Sequence, residues 1–82
     1  MITVRVHFFS TIRARVGEKQ IVIELPTGAR VEDLKREIAV LYPEAAAAIL
    51  HMLASVNQVF SDDSTEIPDQ GEVAFFPYVT GG

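Results

Sequence analysis

Eighty-two residues leave room for one hydrophobic core and exclude a second domain, because a chain of this size buries only roughly 60 to 70% of its unfolded surface. With 49% apolar and 22% charged residues the chain is not disordered, and its longest apolar run, residues 45 to 50, is far short of the ~18 that a membrane span needs. A net charge of -4 argues against nucleic acid as a partner, and the lack of cysteine removes disulfides, thiolate metal sites and any cysteine nucleophile or persulfide.

Residues 2 to 9 alternate, with Ile2, Val4, Val6 and Phe8 on one face and Thr3, Arg5, His7 and Phe9 on the other, which predicts a half-buried strand. Ser10 is placed to cap a short helix through about Val16, and Gly17 stops it. Alternation resumes from Gln20 to Leu25, and Pro26-Thr27-Gly28 closes that segment, so an antiparallel hairpin with a helical insertion at its tip is expected.

Val31, Leu34, Ile38, Leu41 and Tyr42 recur at helical spacing and predict a helix over residues 31 to 42 with one apolar stripe. Glu32 and Asp33 complement its dipole, although Arg30 is a poor cap residue. Pro43 ends that helix and, as a favoured first residue, opens a second one through the four alanines to about His51; the two form one broken crossover. Leu53 to Val56 reads as a strand, Asn57-Gln58 as a turn and Val59-Phe60 as a further short strand. A polar loop from Ser61 and a Pro68-Asp69-Gln70-Gly71 turn then lead to a last strand over residues 72 to 76. Hairpin, helix and then strands make an α+β plan, a single sheet covered on one face within a single domain, residues 1 to 82.

Metal chemistry has little support. His7 and His51 have no motif partners, and Asp62, Asp63, Glu66 and Asp69 lack the regular ligand spacing and central glycine of a calcium loop, so a solvated acidic loop is expected. The N-terminus lacks the basic and apolar segments of a signal peptide, which makes cytoplasmic residence the expectation. Phe9 and Phe76 fall on the outward parity of their strands and Phe60 lies near a reversal. The three either form one exposed patch or pack under the helices.

The chain ends Pro77-Tyr78-Val79-Thr80-Gly81-Gly82, six residues that span roughly 20 Å when extended. Proline withholds a ladder hydrogen bond, and two glycines without Cβ atoms fit a narrow channel and leave the terminal carboxylate unhindered. Such a group is inert until a better leaving group is attached, so the implied chemistry is acyl activation by another enzyme, most simply as an adenylate. A frayed tail or expression scar also produces small terminal residues, but at about 7% glycine a Gly-Gly end arises by chance in about one chain in two hundred.

The ending Val73-Ala74-Phe75-Phe76-Pro77-Tyr78-Val79-Thr80-Gly81-Gly82 resembles that of the small subunits of molybdopterin synthase, a family of ubiquitin-like sulfur carriers. So do Val6-His7-Phe8-Phe9-Ser10-Thr11-Ile12-Arg13 with Val16-Gly17, Pro26-Thr27-Gly28 before Val31-Glu32-Asp33-Leu34, and Val56-Asn57-Gln58, which together span nearly the whole chain. The resemblance implies a β-grasp fold, a mixed sheet on a helical crossover. It also implies that Gly82 is adenylated by a ubiquitin-activating-type adenylyltransferase and thiocarboxylated with sulfur from a sulfurtransferase. Gly82 then donates that sulfur to cyclic pyranopterin monophosphate inside the large subunit, in a complex of two copies of each subunit.

By the same resemblance, residues 77 to 82 (Pro77, Tyr78, Val79, Thr80, Gly81 and Gly82) form the threading tail, and Phe9, Phe60 and Phe76 face the partner. The chain binds no cofactor, ATP being used by the activating enzyme, and is no enzyme on its own. Tyr78 stands where the family commonly has a second proline, and Arg30 replaces a small polar cap. The alternatives are a sulfur carrier of the thiamine pathway, in which the helix after strand one is usually missing, or of another thiolation pathway, a protein-conjugating ubiquitin-like modifier, and a structural adaptor with an incidental tail.

Overall fold

The computed structural model describes residues 1 to 77. The predicted tail residues Tyr78, Val79, Thr80, Gly81 and Gly82 lie outside the described residues. In chain order the elements are β1 (Ile2–Phe8), α1 (Ser10–Val16), β2 (Gln20–Leu25), α2 (Val31–Leu41), a tight 3-10 turn (Pro43–Ala45) running into α3 (Ala46–Ile49), β3 (Leu53–Val56), β4 (Val59–Ser61) and β5 (Gly71–Phe76).

The five strands form one sheet in the order β2-β1-β5-β3-β4. Among the described residues only one pair, β1 with β5, is parallel. Register follows the buried alternation, because a one-residue slip would turn the apolar set of a strand to the opposite face. Val73 therefore stands between Val6 and Val56, and Phe75 between Phe8 and Ala54. These residues are buried with Val4, Leu34, Ile38, Ile49 and Ile67 beneath the helices. Phe8 stacks on Phe75 and meets Tyr42 edge-on, both at centroid separations of 6.5 Å.

Three details depart from the sequence expectations. Ser10 is the first residue of α1 rather than its cap, with φ at +57°, and Phe9 holds the cap position without a side-chain bond. The second helix is shorter than expected. Pro43 keeps Tyr42 out of helical geometry, the next turn tightens with Ala45 N–H donating to the Tyr42 carbonyl, and α3 ends at Ile49. Leu41 is half exposed while Lys35 is buried. Both residues flank the stripe defined by Val31, Leu34 and Ile38, and Lys35 is covered because the Met52 carbonyl and the Asp63 carboxylate close over its ammonium.

Arg30 does stand at the cap of α2 without a side-chain cap bond, and other groups do the work. The Asp33 carboxylate accepts the Arg30 N–H at 2.8 Å. Val31 N–H donates to the Thr65 carbonyl and Glu32 N–H to the Asp63 carbonyl, both at 3.0 Å. The loop after β4 thus satisfies the otherwise orphaned amides at the start of the helix.

Candidate functional site

The helices cover one face of the sheet and leave the other open, and strand pairing assembles a row of outward residues there. His7 is opposite Ala74, Ala74 opposite Ser55, and Ser55 opposite Phe60, one rung across four strands. Small side chains at Ser55 and Ala74 make a floor. Phe9, Phe60 and Phe76 rise around it with His7, Gln58 and Glu72, enclosing a concavity of about 420 Å³.

Phe9 and Phe76, marked by strand parity, and Phe60, marked by its place near a reversal, are brought together. Phe9 continues the outward face just past β1 in extended conformation, and its ring stacks on Phe76 at 5.7 Å with only 4° between planes. Phe60 meets Phe76 at 6.1 Å with a tilt of 59°. Phe9 is 47% and Phe60 76% exposed, so neither packs under a helix. Aromatic pairs contribute about 0.5 to 1.5 kcal/mol beyond area burial, enough to hold the rings as one surface while their outer faces stay in water. Phe60 is placed by the Asn57-Gln58 turn, in which both residues have positive φ, at 50° and 68°, as a two-residue hairpin of right-handed twist requires. The Asn57 side chain also accepts the Glu72 N–H at 2.9 Å, tying that turn to β5.

Sequence reasoning did not include the polar part of this concavity. His7 Nε2 lies 3.1 Å from Glu72 Oε1 across the β1–β5 pair. Outward parity marked both residues, but their proximity depends on the parallel register, which no local pattern encodes. Pro77 follows Phe76 and is exposed, so the chain leaves the sheet at the edge of the aromatic surface.

Three residues of the acidic segment have structural partners. The hydroxyl and the backbone N–H of Ser64 hold the Asp62 carboxyl below its ordinary range, with smaller help from Thr65. Asp63 pairs with Lys35 at 2.8 Å, and Asp69 accepts the Thr3 N–H at 2.8 Å. Among the described residues no three histidine, cysteine or acidic side chains are grouped as metal ligands would be. No helix among them is long and apolar enough to cross a membrane.

A family model described as the ThiS family matches residues 6–82. The chain belongs to the ThiS family. Among curated relatives, the molybdopterin synthase sulfur carrier subunit of Escherichia coli is 36% identical, covering 96% of this chain and 99% of its own. The protein of the same name from Mycobacterium tuberculosis is 32% identical over the full length of both. Among solved structures, a Pyrococcus furiosus protein assigned as molybdopterin converting factor subunit 1 is 29% identical with a TM-score of 0.86, covering 96% of this chain and 100% of its own.

The ubiquitin-like β-grasp fold expected from the sequence is also borne out. A ubiquitin-like domain from Arabidopsis thaliana superposes with a TM-score of 0.64 at 22% identity, covering 99% of this ThiS-family chain and 82% of that one. A Helicobacter pylori chain, seen in a complex of subunits 1 and 2 of molybdopterin-converting factor, does so at 0.70 and 22%, covering 99% and 100%. At those identities the likeness concerns the fold alone.

Proposed function

We propose that this chain is the sulfur-carrying small subunit of a molybdopterin synthase, with the Gly82 carboxylate as its working group. The observation that carries this reading is end-to-end relatedness, at 32 and 36% identity, to carrier subunits of that enzyme. The Gly-Gly ending and the lack of cysteine support it, because they leave the terminal acyl group as the position where sulfur can be held.

In this reading a ubiquitin-activating-type adenylyltransferase brings the Gly82 carboxylate onto the α-phosphorus of ATP, and pyrophosphate leaves. The outer sulfur of a sulfurtransferase persulfide then attacks the acyl carbon and expels AMP, and a thiol reductant cleaves the resulting acyl disulfide to release the thiocarboxylate. Phe9, Phe60 and Phe76 dock on the large subunit, and residues 77 to 82 thread toward its active site. There the sulfur passes to cyclic pyranopterin monophosphate and Gly82 returns as a carboxylate. The side chains that turn over the pterin belong to the large subunit, and this chain contributes position and a thioacid. The assembly has two copies of each subunit.

Expression in a strain that lacks its own carrier subunit tests the proposal. Restored molybdenum-enzyme activity is expected. Unrestored activity, with Gly82 found in isopeptide linkage to many cellular proteins, would instead identify a ubiquitin-like modifier.

A further inference from the structure

Lys35 is 5% exposed, and its ammonium has two partners in different parts of the chain. Nζ donates to the Met52 carbonyl at 2.7 Å and pairs with Asp63 Oδ1 at 2.8 Å. Met52 directly precedes β3, and Asp63 lies two residues beyond the end of β4. The two partners are therefore the open ends of the β3–β4 hairpin, whose closed end is the Asn57-Gln58 turn. We propose that Lys35 is a positioning residue for docking: it clamps the open end of this hairpin and so holds Phe60 in place against Phe76.

The need for a clamp follows from the sheet order. Among the described residues β4 is an edge strand of three residues with β3 as its single neighbour, and it carries the most exposed of the three rings. Short edge strands with few buried contacts open at low free-energy cost. The other partner, Met52, precedes Leu53, and Leu53 is opposite Phe76, the last strand residue before the tail. One ammonium thus fixes the strand ends that carry both Phe60 and the neighbour of Phe76. The ammonium is buried while its carboxylate partner is half exposed, so the pair is expected to add little net stability while fixing geometry, which fits a positioning role.

The inference rests on the reading that the aromatic surface docks on the large subunit, and a double-mutant cycle separates the two. Binding of the full chain to the molybdopterin synthase large subunit of the same organism is measured for Lys35→Met, Phe60→Ala, the double variant and Lys35→Arg. Phe60→Ala is expected to weaken binding by about 30-fold, as loss of an aromatic anchor does. Lys35→Met is expected to cost about tenfold with Phe60 present and under about twofold with Phe60 removed, while Lys35→Arg restores binding to within about threefold. Equal losses from Lys35→Met in both backgrounds, or no loss at all, would overturn the proposal while the docking reading stands. Full affinity in Phe60→Ala would overturn both. If Lys35→Met does not fold, Asp63→Ala removes one arm of the clamp at a half-exposed carboxylate and must show the same dependence on Phe60, at about threefold.

Discussion

Deleting Gly81 and Gly82 is expected to abolish sulfur transfer to the pterin while leaving the fold intact. The deletion shortens the reach of the terminal carboxylate by up to roughly 7 Å and replaces an unhindered glycine carboxylate with that of β-branched Thr80. A misplacement of even 1 Å can cost about 10²-fold in rate, so at least that loss is expected in single-turnover assays with the large subunit. Stability is a separate matter, because among the described residues the buried core ends at Phe75. Unfolding free energy is expected to change by less than about 0.5 kcal/mol, as for surface changes away from packed groups. A truncated chain that still transfers sulfur at the full rate would place the reacting group elsewhere.

Phe75→Ala and Phe76→Ala are expected to fail in opposite ways although the residues are adjacent. Phe75 is fully buried between Phe8 and Ala54, and truncating it removes a large apolar side chain and leaves a cavity at the centre of the sheet. Such changes cost about 3 to 5 kcal/mol, against a total of about 5 to 15 for a domain, so chemical denaturation of Phe75→Ala should show most of the stability lost. Phe76 points to the open face, where it stacks on Phe9 and touches Phe60. Its truncation removes about 0.5 to 1.5 kcal/mol per aromatic pair from the folded chain but takes away the central ring of the proposed docking surface. Docking on the large subunit is expected to weaken by about 30-fold or more, measured by titration calorimetry. Near-native docking by Phe76→Ala would remove the aromatic surface from the account.

Much of this was legible in the sequence because its patterns are local. Period-2 alternation marked the strands over residues 2 to 9 and 72 to 76, and with it the outward set that holds Phe9 and Phe76. Asn57-Gln58 announced a turn, and that turn sets the register that carries Phe60. What local pattern could not supply was pairing. The His7–Glu72 contact, between residues 65 apart in the chain, needs β1 and β5 to lie side by side in parallel. Lys35 was passed over for a related reason: a lysine on an apolar stripe reads as solvated until the loop that brings Asp63 to it is in place. The amides at the start of α2 likewise find their acceptors in Asp63 and Thr65, thirty residues on, where a search for a local cap residue at Arg30 could not look. Propensity alone overestimated the helix of alanines, since Pro43 tightens its first turn.

The most direct test of the central claim is the intact mass of the full chain after incubation with its activating adenylyltransferase, ATP, a sulfurtransferase charged with sulfur and a thiol reductant. The account predicts replacement of one oxygen by sulfur, localised by fragmentation to Gly82 and absent when ATP is withheld. An unchanged mass, with an enzyme that thiolates a known carrier in the same mixture, would contradict it.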